Sequence, residues 1–180
     1  MRFIGNAPVD GEVRAIASGA LATGDTVIVN SDGTVSVVAG SDASAGTPVV
    51  FNAAVSVMSP SSSVFDSSSN KIVVAYADYG NSQYGTAVVG TISGTSISFG
   101  SPAVFESAAI GGTAVTLDSA NNKIVIAYRD EANSNRGTAV VGTVSGTSIS
   151  FGTPVVFETG AIERENGITF HSGRNKVVVA

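Results

Sequence analysis

A repeat of about 52 residues constrains this chain more than any other feature. Asn70-Lys71-Ile72-Val73-Val74-Ala75-Tyr76 returns as Asn122-Lys123-Ile124-Val125-Ile126-Ala127-Tyr128, and a third copy begins at Asn175-Lys176-Val177-Val178-Val179-Ala180. Gly85 to Thr91 recurs at Gly137 to Thr143, and Ser93 to Gly100 at Ser145 to Gly152, both displaced by 52. The pattern Gly-Thr/Ser-Pro-x-Val-Phe starts at Gly46, Gly100 and Gly152. A fixed period decides architecture before local propensity does, because each unit must bury its apolar face against a neighbour.

Each unit reads as four short strands. In the second copy these are Thr113 to Leu117, Lys123 to Arg129, Gly137 to Val144, and Thr147 to Phe151 continuing past Pro154 to Phe157. Turn residues separate them: Asp118 to Asn122, the polar loop Asp130 to Asn135, and the Ser145-Gly146 hairpin pair, where glycine supplies positive φ. Pro154 has no amide to donate, so the last strand is an edge or is broken there. No segment of the unit has helical periodicity. Ile124 to Tyr128 and Thr138 to Gly142 are apolar or small on both alternating faces, which predicts strands covered on both sides and hence stacked sheets. Four strands in such a period is the spacing of a β-propeller blade. The expected fold is therefore all-β: a short N-terminal β-hairpin domain followed by four-stranded repeats, β-propeller-like, with a β-sandwich or a β-solenoid as alternatives.

The repeats occupy residues 46–180 and amount to about two and a half units. The third copy stops in mid-strand, which leads us to expect further blades in a longer chain. Residues 1–45 stand apart as an anchor or attachment segment, joined by the Ala/Gly/Ser/Asp run from Ala39 to Gly46. Within that segment Gly24 to Thr34 aligns with Gly85 to Thr95 at an offset of 61, and Asp32-Gly33 marks a hairpin turn. The third unit lacks this hairpin. An N-terminal hairpin is thus a candidate to complete a C-terminal blade, in the same chain or in a neighbour.

Composition narrows the chemistry. The 180 residues include no Cys, no Trp and one His, which removes disulfide frameworks, Cys-based zinc sites and thiol nucleophiles. A net charge of -5 with nine scattered basic residues provides no stripe for phosphates, so nucleic acid is not an expected partner. No apolar run approaches a membrane span, and Met1 to Asp10 does not read as a signal peptide. His171 stands where Asp66 and Asp118 stand in the other copies and reads as a solvated turn residue; no Gly-x-Ser-x-Gly elbow accompanies it. No catalytic group and no cofactor follow from these residues.

Four sets of residues merit attention as sites. Asp78 with Asn81 and Asp130 with Asn133 recur after the tyrosine of each unit; they read as Asx-turns, with a weak oxygen-ligand site for Ca²⁺ or a sugar as the alternative. Ser31-Asp32-Gly33-Thr34 has part of the sialidase Asp-box but lacks its aromatic residue, and reads as a hairpin turn. Tyr79 and Tyr84 are expected to be exposed beside a variable loop, positioned to stack on a sugar ring. Glu163, Arg164 and Glu165 lie in the stretch from Glu158 to Asn166 that departs most from the repeat, where a binding loop would be placed.

From Ile16 to Val37 the chain resembles the opening of virion structural proteins of marine tailed phages, particularly cyanophages. The later wording around Asn122-Lys123-Ile124 and Gly137 to Thr143 is similar to the propeller-like repeats of those proteins. The resemblance implies a tail fibre or a capsid-decorating fibre, typically trimeric, located in the virion after assembly in the host cytoplasm. Its implied partners are other virion proteins of tail, portal or capsid, further copies of the chain, and a host surface glycan. A secreted adhesin or lectin-like propeller is the alternative, and a glycan hydrolase a third.

Overall fold

The computed structural model describes residues 16–22, 27–37, 46–53, 61–163 and 167–180. It divides into two compact units, residues 1–45 and 46–180. In the first, β1 (Ile16–Ala17) pairs in parallel with β3 (Thr34–Val37), and β2 (Val27–Val29) pairs with β3 antiparallel. Gly33, at φ +78°, closes the β2–β3 turn. The Asp32 carboxylate accepts from the Thr34 amide at 3.0 Å and its hydroxyl at 2.6 Å. Those bonds hold the carboxyl below the usual range.

The second unit is built from the repeat. Its strands are β4 (Ser62–Asp66), β5 (Lys71–Asp78), β6 (Tyr84–Ser93), β7 (Ser96–Phe99), β8 (Ala103–Asp118), β9 (Lys123–Asp130), β10 (Arg136–Ser145), β11 (Ser148–Phe151), β12 (Val155–Ala161), β13 (Ile168–His171) and β14 (Lys176–Val179). The fold is all-β, and among the described residues no sheet closes into a barrel. The β4–β5, β8–β9 and β13–β14 turns each end on an asparagine in the left-handed region, Asn70, Asn122 and Asn175, with φ of 55°, 52° and 49°. Asparagine tolerates that conformation, so the Asn-Lys pair opens the second strand of every unit.

The outer strand of each repeat is not a strand of its own. On the free edge of β6, β7 pairs with residues 90–93 and the N-terminal half of β8 with residues 84–87. On β10, β11 and β12 divide the edge in the same way. At Pro154 the last strand is broken, one of the two outcomes its sequence allowed: β11 ends at Phe151 and β12 begins at Val155, because the proline cannot donate to the ladder. Sequence also predicted a fresh first strand at Thr113. Instead β8 runs unbroken for 16 residues, leaving the first sheet and entering the second at a bulge where Gly112 takes φ +50°. No proline lies between Phe105 and Thr113 to stop it, and the Gly111-Gly112 pair is absorbed in the bulge.

Folded over at that bulge, the two sheets face each other. Val73, Ala75 and Ala77 of β5 and Ala87 and Val89 of β6 pack against Ile124, Ile126 and Tyr128 of β9 and Val140 of β10. Each fully buried valine or isoleucine here contributes about 1.5–3 kcal/mol. Two hydrogen bonds pin the inner strands: the Thr113 hydroxyl donates to Ala75 O at 3.2 Å, and the Val115 amide to Ser62 Oγ at 3.1 Å.

Aromatic rings repeat the same interlock one unit apart. Phe105 lies 5.2 Å from Tyr128 and 5.6 Å from Phe151, and Phe51 lies 5.2 Å from Tyr76 and 5.8 Å from Phe99. The phenylalanine of each of the first two Gly-Thr/Ser-Pro-x-Val-Phe segments therefore seats on the tyrosine of the following repeat.

Candidate functional site

The loops at one end of the sheets are built alike. Asp78 and Asp130 each precede a single 3₁₀ turn, Tyr79–Asn81 and Glu131–Asn133. Asp78 accepts from the Gly80 amide at 3.0 Å and from Asn52 Nδ2 at 3.1 Å; Asp130 accepts from the Asn133 amide at 3.1 Å. Two left-handed residues close each loop, Ser82–Gln83 and Ser134–Asn135. Gln83 O then accepts from the Ile110 amide and Asn135 O from the Ile162 amide, tying each loop to the strand that crosses onward.

These contacts give the recurring carboxylates a structural task. The two serve separate loops, and Asn133 Oδ1 is engaged by Arg136 Nη1 at 3.3 Å. Among the described residues no three His, Cys, Asp or Glu side chains form a group able to hold a metal ion. Asp130→Ala should cost about 0.5–2 kcal/mol, as the loss of a capping side chain does. Millimolar Ca²⁺ should leave the melting temperature of the wild-type chain unchanged. Thermal unfolding with and without chelator checks both, and a calcium-dependent rise that Asp130→Ala abolishes would restore the cation reading.

What the loops display does differ. Tyr79 and Tyr84 flank the first loop, but both are half-buried rather than exposed, and Tyr79 packs against the core. In the second loop the corresponding positions are Glu131 and Arg136, and Arg129 replaces Ala77. Arg129 forms an ion pair with Glu131, and Gly111 lies so close that a Cβ there would stand 2.7 Å from Glu131 Oε1. The charged trio escaped the motif search. Comparing the two copies position by position exposes it, because residues that break a repeat are free of the packing that keeps the others alike.

Glu163 is exposed beyond β12, whereas Arg164 and Glu165 lie outside the described residues. His171 is exposed at the end of β13 and its carbonyl accepts from the Arg174 amide, as befits a turn residue. At the opposite end a cleft of about 100 Å³ opens between the sheets, lined by Asp66, Ser69, Lys71, Leu117, Asn122 and Val144. Its charged groups are already engaged: Asp66 accepts from Ser68 and Ser69, and Lys71 Nζ donates to Thr91 Oγ1 at 2.6 Å. Binding pockets for small organic ligands are several times larger.

Two buried phenols carry the strongest electrostatic signature. Burial, reinforced by the charge of Asp78, pushes Tyr76 up to about 12. Burial raises Tyr128 further, together with Glu106, whose Oε2 accepts from the tyrosine hydroxyl at 3.0 Å. Since the folded chain holds these protons more tightly than the unfolded one, their contribution is intact below about pH 10 and is lost as pH rises through the folded values. Urea midpoints should therefore fall between about pH 9.5 and 11.5, and Tyr76→Phe should flatten that decline.

Fold and surface together define an all-β repeat protein whose loop carboxylates hold backbone. Comparison of the chain with protein-family models, with curated proteins and with solved structures finds no match.

Proposed function

We propose that the chain is a structural component of a phage virion, a tail or capsid fibre protein. Residues 1–45 attach it to the particle, and the repeats present a surface to a host glycan. The observation that carries this reading is the pair of loops with one backbone plan and two different displays: Tyr79 and Tyr84 in one, Arg129, Glu131 and Arg136 in the other. A scaffold that keeps its strands and caps while exchanging loop side chains suits recognition of a variable surface. The likeness of Ile16 to Val37 to cyanophage virion proteins supplies the setting. Glu163, exposed at the edge of the divergent loop, belongs to the same presenting surface.

The test is immunogold labelling of density-purified particles with antibody to the chain, alongside binding of the purified protein to intact host cells. Label at fibres is expected, with cell binding competed by isolated surface polysaccharide. Retention of the protein in the particle-free lysate overturns the virion assignment, and cell binding without particle association favours a secreted adhesin. Release of reducing ends from the polysaccharide favours the hydrolase.

A further inference from the structure

The same three positions meet at the loop end of both complete repeats. They are the residue after the interlocking phenylalanine, the aspartate that opens the loop, and the residue that opens the third strand. In the first repeat Asn52 Nδ2 donates to Asp78 Oδ1 at 3.1 Å, and Asp78 lies opposite Tyr84 in the ladder. In the second, Asp130 lies opposite Arg136, and Glu106 Oε2 accepts from the hydroxyl of Tyr128 at 3.0 Å. Tyr128 and Asp130, two residues apart on β9, share one face of the sheet. The strands are nearly identical in the two copies, yet the first and third members of the trio change, Asn52 to Glu106 and Tyr84 to Arg136.

The two corners are not finished alike. In the first, the Thr86 hydroxyl donates to Tyr84 O at 3.2 Å. Its equivalent Thr138 is 2% exposed, and its hydroxyl has no partner. Arg136 Nε, two residues before it on β10, is likewise shut from solvent and unpartnered. Thr138 lies opposite Tyr128 and Arg136 opposite Asp130, so both orphans belong to the face that carries the two acidic neighbours. A further orphan, Arg129 Nε, lies opposite Gly137 and so belongs to the other face, where Arg129 pairs with Glu131. Buried donors without acceptors are rare in folded chains and point to an occupant.

The neighbours decide which chemistry fits. Ionised carboxylates only accept hydrogen bonds and a guanidinium only donates them. Burial, then the charges of Glu106 and Asp130, raise the Tyr128 hydroxyl, which places both carboxylates near it. Two carboxylates against one guanidinium oppose an anion, and the guanidinium opposes a metal ion. A hydroxyl both donates and accepts, and a sugar offers such groups in adjacent pairs. We propose that this corner binds a neutral saccharide, one hydroxyl donating to the Glu106 carboxylate and its neighbour accepting from Arg136. Glu106 and Arg136 are both half-buried and so reachable from solvent. Among the described residues the Arg136 guanidinium is held by one bond, to Asn133 Oδ1 at 3.3 Å, which leaves it free to turn toward a ligand oxygen. The inference rests on the glycan part of the reading above and narrows it to neutral sugars at one place in the fold.

Titration calorimetry of the 180-residue chain tests it, with glucose, galactose and mannose oligosaccharides, oligogalacturonate as the acidic comparison, and host surface polysaccharide as the reference. A neutral oligosaccharide is expected to bind. Arg136→Gln and Glu106→Gln should each weaken it by about tenfold or more, the loss expected for a hydrogen bond to a charged group. Lys123→Gln, at the opposite end of the sheets, should not, and melting temperatures establish that each variant is folded. Nuclear magnetic resonance of the nitrogen-15-labelled chain adds a local readout: the Arg136 Nε signal should move on saturation with the sugar. A stationary Nε signal means that water alone occupies the corner and overturns the proposal, as does a preference for oligogalacturonate. Polysaccharide binding that survives Arg136→Gln overturns the site and leaves the glycan reading standing, whereas a wild-type chain that binds no saccharide overturns both.

Discussion

Phe105→Ala is expected to lower the unfolding free energy by about 3–5 kcal/mol, the range for deleting a buried aromatic ring. Phe105 is 7% exposed, and it is the ring through which β8 holds the two sheets together, in contact with Tyr128 on one side and Phe151 on the other. The ring also lies over Gly85, where a Cβ would stand 2.4 Å from it, so the glycine leaves room that no neighbouring side chain can refill. Collapse into the cavity is thereby limited, and the cost belongs near the top of the range. Phe157→Ala removes the same residue type at the equivalent position one repeat later, where the ring is 43% exposed. In the isolated chain it should change stability by no more than about 1 kcal/mol. Urea unfolding of both variants, followed by tyrosine fluorescence and circular dichroism, checks the contrast. Equal effects would mean that the interlock is not what joins the sheets.

Gly100→Ala should be nearly as damaging although it adds one methyl group. That methyl would stand 2.0 Å from the carbonyl oxygen of Thr147 and 3.0 Å from its carbonyl carbon. A flexible side chain can swing aside; a hairpin carbonyl moves only if the β10–β11 turn shifts bodily. The expected cost is about 3 kcal/mol, at the upper end of overpacking penalties. Thermal unfolding of Gly100→Ala beside Gly152→Ala separates this collision from any general effect of losing glycine at such a site. The Gly152 variant, whose added methyl would find only Val141 O at 3.8 Å, should melt like the parent. A similar loss in both would show that backbone entropy or strand pairing, not close approach, sets the requirement.

Much of this was legible in the residues because repetition removes ambiguity. The Asn-Lys pair opening each second strand, the Ser-Gly hairpin turns and the two-faced apolar strands at Ile72 to Tyr76 and Ile124 to Tyr128 are local features, determined by left-handed tolerance, turn geometry and β-propensity. The same logic showed that Asp78 and Asp130, being shared by both copies, hold loops. Other features were not legible. Whether the stretch from Phe105 to Thr113 turns or runs straight depends on a bulge at Gly112 and on two sheets competing for one strand. Tyr79 and Tyr84 look like surface aromatics in sequence, and only the fold shows both half-buried, with Tyr79 packed against the core.

Sequence by itself thus determined the period, the turns and the all-β class, since each follows from interactions within a few residues of one another. Only the tertiary structure decided which faces meet and which remain open. Val89 and Val141 occupy the same place in the repeat, yet one is sealed and the other is 46% exposed. Nothing local distinguishes them: burial depends on the presence of a following sheet, and that is a property of the assembly of repeats.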